Sequence, residues 1–343
     1  MDMTVPNETK RYIDAVSDML GADSQLVLVG GSVRDILLGR TPKDYDFATA
    51  LVPDEAERRV RAAGKRVYTV GKRFGTIGFK LDGQFIELTT FRKELYSPGS
   101  RKPAVTFTSD LHEDLARRDF TMNALALDTA YRLIDPYDGA ADIQAGLVRA
   151  VGKPADRFTE DPLRMLRMAR FVARYGFVVE EATAAAAAKE GYLLTKISPE
   201  RISAEMDGIL VGDFAVQGLA LLGELGLLSY AVPLLAVQVG YDQNSPWHRY
   251  ELWEHSLKTM AAVPAEVELR WAALLHDIGK PFVRQEKPDR SSYVHHDRVG
   301  ALLVDMIAHH LRWSKERQLV VRALVRGHMD DASPLRAADN AAK

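Results

Sequence analysis

The 343-residue sequence contains no cysteine, which excludes disulfide bonds and thiolate metal sites. Any bound metal ion must therefore use oxygen or imidazole ligands. No apolar run approaches the roughly 20 residues that span a bilayer, and the first residues lack the basic and apolar regions of a secretory signal. These absences predict a cytoplasmic protein that makes no membrane contact.

The chain also lacks an excess of charge of either sign, because 45 Lys and Arg residues oppose 47 Asp and Glu residues. A general affinity for polyanions is therefore excluded for the molecule as a whole. Basic residues do cluster in "ERRVRAAGKRVYTVGKR" (57–73). That segment is compatible both with a solvated helix face and with local contact to nucleic acid.

The pattern of predicted elements changes twice along the chain. Up to about residue 150, β-like runs such as "QLVLVGG", "DYDFAT" and "GTIGFKL" alternate with helical stretches, which predicts an α+β domain with a mixed sheet and flanking helices. From residue 151 the strand signal fades and helical patterns dominate. A second change, near residue 245, precedes a region that holds most of the nine histidines. We therefore expect domains at 1–150, 151–245 and 246–343, the last two all-α.

The stretch "LVGGSVRDILLGRTPKDYDFAT" carries candidate phosphate and metal ligands. Its apolar start predicts a strand that runs into a turn at Gly30 and Gly31, where backbone amides can approach phosphate oxygens, and Arg34 in the following helix adds a charged fork. Asp44 and Asp46 are two residues apart, so on a strand both carboxylates project from one face. Such a pair favours Mg²⁺, and two ions about 3.5 to 4 Å apart can activate a hydroxyl and stabilise a leaving oxygen.

A third acid is available in the β-like run "FIELTTFR". Glu87 lies there between Phe85 and Leu88, and we expect a buried carboxylate that needs a charged partner. Each of these pieces is weak evidence alone. Together they predict a metal-dependent site for phosphate chemistry.

The segment "EDPLRMLRMARF" predicts one helix with Glu160 and Asp161 at its start and Pro162 in its first turn. Asp161 and Arg164 are then on one face of the helix. A carboxylate that accepts from an exocyclic amine, beside a guanidinium that donates to a ring nitrogen, matches the Watson–Crick edge of C or A but not that of G or U. A capped amphipathic helix with an ion pair is the structural alternative.

These motifs resemble the nucleotidyltransferase superfamily, specifically the class II tRNA nucleotidyltransferases (CCA-adding enzymes) and the bacterial poly(A) polymerases. "GGSVRD" followed by "DYDF" is similar to the signature of their head domain, and "RRDFTMNALA" (117–126), "DPYDG" (135–139) and "EDPLRMLRMARF" (160–171) follow in the family's order. The resemblance implies an enzyme that adds or repairs the 3′-terminal CCA of tRNA from CTP and ATP and releases pyrophosphate. It also implies that the first domain is the catalytic head and the second the neck and body, which select the nucleotide and bind tRNA.

The resemblance assigns roles to individual residues. Asp44 and Asp46 hold catalytic Mg²⁺, with Glu87 as a third catalytic acid. The implied nucleotide-binding residues are Gly30, Gly31, Arg34, Arg118, Asp119, Asn123, Asp161, Arg164 and Arg167. Asp161 and Arg164 would form a protein template for CTP and ATP, supported by Arg167. Residues 92–105 resemble the loop that accommodates the change from C to A addition.

Four segments rich in histidine, "LWEHSL", "RWAALLHDIGKP", "YVHHDRVGA" and "LVRGHMDD", resemble the HD phosphohydrolase superfamily. The resemblance implies a metal site of His255, His276, Asp277, His296 and His328, with Asp330 competing with His328 for the last position. Imidazole and carboxylate ligands suit Mn, Ni or Fe, which can generate a hydroxide for phosphoester hydrolysis. The family usually continues with more helices where this chain reaches Lys343, so the sequence is compatible with a truncated HD domain.

Three alternatives remain open on the sequence alone. The first is a poly(A) polymerase or a partial CC- or A-adding enzyme, although "VGKRFGTIGFKL" is more similar to the CCA-adding pattern. The second is an HD-type metal-dependent phosphohydrolase whose head serves as an RNA-binding module. The third is a tRNA-binding protein without catalytic activity.

Overall fold

The computed structural model describes residues 4–95, 104–246 and 249–342. The chain divides into two compact units, Met1–Glu160 and Asp161–Lys343. The boundaries expected near residues 150 and 245 stay predictions. Within the described ranges no helix is both long enough and apolar enough to cross a membrane.

The first unit is built on a mixed seven-stranded sheet, as the alternating pattern predicts. The strands described in this unit, seven of which form the sheet, are β1 (Val27–Val29), β2 (Tyr45–Thr49), β3 (Val67–Tyr68), β4 (Thr76–Leu81), β5 (Gln84–Thr90), β6 (Arg92–Leu95), β7 (Ala104–Phe107), β8 (Ala126–Asp128), β9 (Leu133–Ile134) and β10 (Leu147–Val148). The sheet has the order β3-β4-β5-β2-β1-β8-β9. β2 and β5 pair in parallel, whereas the other described neighbours in this sheet pair antiparallel.

Helices accompany this sheet. They are α1 (Asn7–Leu20), α2 (Gly31–Leu37), α3 (Pro53–Ala62), α4 (Leu111–Ala116), α5 (Gly139–Ala145) and α6 (Pro154–Glu160). In α1 the buried residues Tyr12, Val16 and Leu20 recur every four positions, which is the spacing of one helix face. The expected α+β head is confirmed.

The strand β5 differs from the expectation that Glu87 is buried. Its side chains alternate, with Ile86 and Leu88 buried and Phe85 and Glu87 exposed. Glu87 was expected to be buried because apolar residues flank it in sequence. That expectation was wrong because a strand has a side-chain period of two, which places Glu87 on the same face as Phe85 rather than with Leu88.

The segment 92–105, expected to be a loop, also differs. Its ends form the antiparallel strands β6 and β7, with Arg92 opposite Phe107 and Leu95 opposite Ala104. Residues 96–103, the centre of the expected loop, lie outside the described residues.

The second unit is helical, as expected. Its elements are α7 (Leu163–Tyr175), β11 (Val178–Val179), α8 (Glu181–Glu190), α9 (Pro199–Leu210), α10 (Ala215–Glu224), α11 (Leu228–Ala231), α12 (Pro233–Ala236), α13 (Leu252–Ala261), α14 (Val267–Leu275), α15 (Lys280–Val283), β12 (Gln285–Glu286), β13 (Ser291–Ser292), α16 (His296–His310), α17 (Lys315–Arg326) and α18 (Arg336–Ala341). The short hairpin of β12 and β13 interrupts this helical pattern.

The segment 160–171 was expected to form one helix, but it is divided between two helices. α6 ends at Glu160, and α7 begins at Leu163 with Pro162 as its N-cap. Proline disfavours helical backbone in the residue before it, so the chain turns at Asp161. Asp161 consequently lies at a helix junction, where its carbonyl accepts the Arg164 amide at 3.0 Å and its side chain accepts the Leu163 amide at 3.2 Å.

Candidate active site and metal cluster

A glycine turn joins β1 to α2 in the head. Gly30 has φ +65° and its amide donates to the Leu125 carbonyl at 3.1 Å. A Cβ at Gly30 would lie 2.8 Å from Nη1 of Arg118. Only glycine combines this backbone with this close approach. Gly31 then starts α2.

Three carboxylates lie along the neighbouring strands. Asp46 on β2 is in parallel register with Glu87 on β5, and Asp44 directly precedes β2. Ser32 of α2 holds the start of β2, because its hydroxyl donates to the Asp44 carbonyl at 2.9 Å and accepts the Asp46 amide at 3.2 Å. No local pattern in the sequence indicates this role of Ser32. Asp44 and Glu87 are exposed and Asp46 is half-buried.

The electrostatics show how closely these acids interact. The pKa of Asp46 is raised to about 6: burial is the largest cause, the charges of Glu87 and Asp44 add to it, and Arg118 and Arg34 oppose the shift. An oxygen-only ligand set whose members disfavour one another's ionisation suits a hard divalent cation, which would remove the repulsion.

A buried hydrogen-bond chain connects three of the predicted nucleotide-binding residues. Arg34 Nη1 donates to Asn123 Oδ1 at 2.6 Å, and Asn123 Nδ2 donates to Asp119 Oδ1 at 3.0 Å. Nε and Nη2 of Arg34 donate to Asp35 Oδ1 at 3.1 and 2.9 Å. The structure thus brings Arg34, Asp119 and Asn123 together, with the Arg34 guanidinium already held in place.

Arg118 lies beside this chain. It donates from Nη2 to Asp114 Oδ2 at 3.1 Å and from Nη1 to the Asn123 carbonyl at 3.4 Å, whereas its buried Nε has no hydrogen-bond partner among the described residues. Burial opposes ionisation of Asp114, but the charges of Arg118 and Arg117 outweigh it and lower its pKa. Asp114 was missed in the sequence because it lies outside the recognised motifs.

The predicted template residues lie in the second unit. Arg164 is buried on α7, and Arg167 lies over the ring of Phe171, 5.8 Å from its centroid. Asp161 forms an ion pair with Arg201 of α9, with Nη2 and Oδ2 2.8 Å apart. Arg201 was not predicted, because no local sequence signal connects two residues on separate helices.

The histidines predicted as metal ligands converge in the second unit. His255 lies on α13, His276 and Asp277 directly follow α14, His296 starts α16 and His328 follows α17. Asp339 on α18 joins them, although it was not predicted. Asp330, the competitor of His328, is exposed and does not belong to either group of candidate ligands among the described residues.

The cluster has two halves that share Asp277. One contains His255, His276 and Asp339, and the other contains His296 and His328. Asp277 Oδ2 lies 3.1 Å from His276 Nε2, and Asp277 Oδ1 lies 3.1 Å from His296 Nε2. The carboxylate therefore presents one oxygen to each half, so each half has a carboxylate oxygen available as a ligand atom.

Backbone carbonyls set the tautomers of these histidines. Nδ1 of His276, His296 and His328 lies 2.7 Å from the carbonyl oxygens of Ala273, Tyr293 and Val325. A carbonyl only accepts, so each Nδ1 is the donor and the neutral ring has its lone pair on Nε2.

When both rings of a pair are neutral, these lone pairs face one another. Without a metal ion, burial opposes ionisation of His276, but the charge of Asp277 outweighs it and raises the pKa of His276 to about 9, so a proton occupies its Nε2. The Nε2 atoms of His255 and His276 are 3.1 Å apart, and those of His296 and His328 are 3.2 Å apart. Two lone pairs at that distance need a proton or a metal cation between them. Burial lowers the pKa of His328 to about 4, so this ring stays neutral near pH 7.

A buried lysine adds charge to the cluster. Lys280 Nζ lies 2.6 Å from Asp277 Oδ2 and donates to Gln243 Oε1 at 2.7 Å. Burial opposes ionisation of Asp277, but the charges of His276 and Lys280 hold its pKa well below the usual range. Asp277 is thus kept ionised, as a carboxylate must be to bind a metal ion.

Three family models match the chain in order. They are described as the poly A polymerase head domain (26–149), a probable RNA and SrmB-binding site of polymerase A (176–238) and the HD domain (252–341). Nucleotidyltransferase heads and HD domains both imply the use of divalent metal ions.

Curated relatives refine this result. A CCA-adding enzyme of Geobacillus thermodenitrificans is 39% identical over 285 residues, covering 82% of this chain and 66% of that protein. The CCA-adding enzyme of Geobacillus kaustophilus is 36% identical over 299 residues, covering 84% of this chain and 69% of that protein. The chain belongs to the CCA-adding enzyme family. The aligned part spans about two thirds of the length of these tRNA nucleotidyltransferases.

Solved structures agree with this family. The crystal structure of the Bacillus stearothermophilus CCA-adding enzyme in complex with CTP is 30% identical, with a TM-score of 0.68 over 99% of this chain and 80% of that chain. A tRNA nucleotidyltransferase complexed with a primer tRNA and an incoming ATP analogue shares the fold at 23% identity and a TM-score of 0.62, over 95% of this chain and 85% of that chain. The resemblance read from the motifs is confirmed.

The raised pKa of Asp46 generates a stability prediction. Its folded-state pKa of about 6 lies above the unfolded value of 3.8, so folding favours the protonated carboxyl and stability falls as pH rises through this window. In metal-free protein, Asp46→Asn should increase the free energy of unfolding at pH 8 by roughly 2 kcal/mol and change it little at pH 4.

Urea unfolding in EDTA at the two pH values measures this difference. Asp18→Asn, which changes an exposed carboxylate of α1, is the matched control and should have little effect at either pH. Equal effects of Asp46→Asn at pH 4 and pH 8 would contradict the assigned electrostatics.

Proposed function

We propose that the chain adds the 3′-terminal CCA to tRNA, using CTP and ATP and releasing pyrophosphate. The observation that carries this proposal is the placement of Asp44, Asp46 and Glu87 beside the glycine turn of a family head domain. The RNA 3′-hydroxyl would form a bond to the α-phosphorus while the bond to the pyrophosphate oxygen breaks. CCA addition is favoured over poly(A) synthesis because the curated relatives described above are CCA-adding enzymes.

Asp44 and Asp46 would hold the metal in this reaction, with Glu87 as the third acid. Two Mg²⁺ ions bound there would promote ionisation of the attacking hydroxyl and neutralise charge on the leaving oxygen. The carboxylates must be ionised for this role. We therefore expect the pKa of Asp46 to fall when the metal binds.

The triphosphate would lie at the turn of Gly30 and Gly31. Arg118 supports this placement, because its guanidinium packs on Gly30 and retains one buried donor without a partner among the described residues. Arg34 contributes positive charge there, and its bonds to Asn123 and Asp35 fix its position. Asn123 and Asp119 then extend the site towards the sugar.

Asp161 and Arg164 would read the base, with Arg167 in support. Both oxygens of Asp161 are already oriented, since Oδ1 accepts the Leu163 amide and Oδ2 pairs with Arg201. A carboxylate held in this way can present an acceptor to the exocyclic amine of C or A. Orienting a recognition group before the ligand binds reduces the entropy lost on binding.

We also propose the organisation into a head at 1–150, a neck and body at 151–245 and an HD domain at 246–343. It is supported by the order of the three family matches. The partners in this proposal are CTP, ATP and the 3′ end of tRNA. The cytoplasmic location stays a prediction from the sequence.

Replacing the metal ligands tests the reaction. Asp44→Ala and Asp46→Ala should each lower incorporation of labelled CTP into tRNA lacking CCA at least about 1,000-fold, because the charge that develops in the transition state is left without its cations. Asp18→Ala is the control and should retain activity. Near-normal incorporation by either variant, with the fold preserved in circular dichroism, would refute the metal assignment.

Nucleotide selectivity tests the template. Asp161→Ala should reduce the preference for CTP and ATP over UTP and GTP in kcat/KM. Arg201→Ala should reduce this preference by a smaller factor, roughly tenfold, because the Asp161 carboxylate remains but loses the ion pair that orients it. Arg201→Lys should recover part of the preference. Arg174→Ala, an exposed change on α7, serves as the control, and unchanged selectivity in Asp161→Ala means that the base is read elsewhere.

A second activity is favoured by the histidine cluster. We propose that the HD domain is a metal-dependent phosphohydrolase whose ligands are His255, His276, Asp277, His296, His328 and Asp339. A divalent ion such as Mn, Ni or Fe supplies a Lewis acid that activates water. The supporting observation is the convergence of Nε2 lone pairs on the two oxygens of Asp277.

The two activities should be separable by substitution. In protein loaded with Mn²⁺, His276→Ala should abolish phosphate release from bis(p-nitrophenyl) phosphate or a nucleoside monophosphate and leave CTP incorporation intact. Asp44→Ala should have the opposite effect. Loss of both activities in both variants would contradict two independent sites, provided that thermal unfolding shows each variant to be folded.

A further inference from the structure

A cavity of about 380 Å³ opens beside the HD cluster in the second unit. Four residues of the cluster contribute to its wall: Asp277, His296, His328 and Asp339. The other charged residues of the wall are all cations: Lys280, Lys287, Arg290 and Arg336. Both acids that the described residues contribute to the wall belong to the metal cluster, so the rest of this described charged lining is positive.

These cations reach the cavity from different elements. Lys287 and Arg290 lie in the turn between β12 and β13, where the Lys287 amide donates to the Arg290 carbonyl at 2.8 Å. Arg336 is the first residue of α18, three positions before Asp339. Residues three apart share a helix face, so α18 presents a metal-ligand candidate and a cation to the same space.

Two of these cations have no internal counter-ion. Within the described ranges, the side chains of Lys287 and Arg336 make no hydrogen bond or ion pair. Lys280, in contrast, is already bound to Asp277 and Gln243. Cations that line one cavity repel one another unless an anion lies between them.

We propose that Lys287, Arg290 and Arg336 form a second anion subsite, so that the HD site prefers ligands with two phosphates. One phosphate would lie at the histidine cluster and the other at these cations. This inference rests on the proposed phosphohydrolase function and specifies its substrate class. The chemistry fits an RNA end in which a terminal phosphate follows a phosphodiester, or a small nucleoside bisphosphate.

The rest of the wall supports recognition of phosphate rather than of a particular base. Ser245, Ser291 and Ser292 offer small polar groups. Among the described residues, the aromatic side chain of the wall besides its histidines is Tyr293, whose ring lies 5.6 Å from the Lys280 ammonium and whose hydroxyl donates to the Gln243 carbonyl. A base would gain little stacking from the described part of this wall, so we expect the phosphates to supply most of the affinity.

The kinetic test compares adenosine 3′-monophosphate with the dinucleotide CpA bearing a 3′-phosphate, using full-length protein loaded with Mn²⁺. The dinucleotide should have a KM at least about tenfold lower, because charge-assisted hydrogen bonds to a second phosphate add affinity. Lys287→Ala and Arg336→Ala should each raise that KM about tenfold while kcat and the KM for the monophosphate stay unchanged.

Two controls accompany this comparison. Arg322→Ala removes a half-exposed arginine of α17 that pairs with Asp305 and does not line the cavity, so it should leave both KM values unchanged. Adenosine 3′,5′-bisphosphate distinguishes the sources of the second phosphate. If the KM of the bisphosphate is lowered as much as that of the dinucleotide, the subsite accepts small bisphosphates. If only the KM of the dinucleotide is lowered, the subsite recognises the RNA backbone.

A binding experiment separates this inference from the activity itself. Phenylglyoxal labels accessible arginines, and peptide mass spectrometry reports the labelling of Arg336. The dinucleotide 3′-phosphate or the bisphosphate should protect Arg336, and adenosine 3′-monophosphate should not. Protection without hydrolysis of any probe would support the subsite and refute the phosphohydrolase function. Hydrolysis with equal KM values and no selective protection would overturn the subsite.

Discussion

The parallel register of β2 and β5 is the constraint on which the candidate active site of the head depends. It places Asp46 beside Glu87, and a slip of one residue would turn one of the two carboxylates to the other face of the sheet. Ser32 fixes the start of β2 against α2 by binding backbone groups on both sides of Tyr45. The arrangement is electrostatically unfavourable, as the pKa of Asp46 shows. Unfavourable local arrangements of this kind are typical of functional sites, where a ligand relieves them.

The histidine cluster of the second unit is also an arrangement that a bound cation would stabilise, but its ligand atoms include imidazole nitrogens. Carbonyl acceptors bind Nδ1 of the rings, so the Nε2 lone pairs converge on Asp277 instead of pairing with donors. The head offers oxygen ligands alone, whereas the cluster mixes imidazole with carboxylate. Oxygen ligands favour hard ions such as Mg²⁺ and mixed imidazole and carboxylate ligands favour transition-metal ions, so the two proposed sites would differ in the ions they prefer.

Local patterns in the sequence predicted the strands of the head, the aspartate pair and most of the histidine cluster, because strand alternation and motif spacing are local properties. The burial of Glu87 was predicted wrongly because the identity of its neighbours was given more weight than the period of the strand. The break before Pro162 is also a local property, because proline disfavours helical backbone in the residue that precedes it. The prediction of one continuous helix considered only that proline is tolerated in a first helical turn. Arg201 and Asp339 could not be predicted, since each depends on the packing of helices that are distant in sequence.

If Asp161 reads the base as proposed, its ion pair with Arg201 connects base selection to the packing of α7 and α9. Asp161 gives one oxygen to a backbone amide and the other to Arg201, so an incoming base must share Oδ2 with the guanidinium or displace it. A base with an exocyclic amine replaces the lost hydrogen bond, whereas a base with a carbonyl at that position would leave the carboxylate facing another acceptor. Such a base would repel the carboxylate and would also remove its guanidinium partner. Rejection of the wrong base would therefore contribute more to selectivity than attraction of the right one.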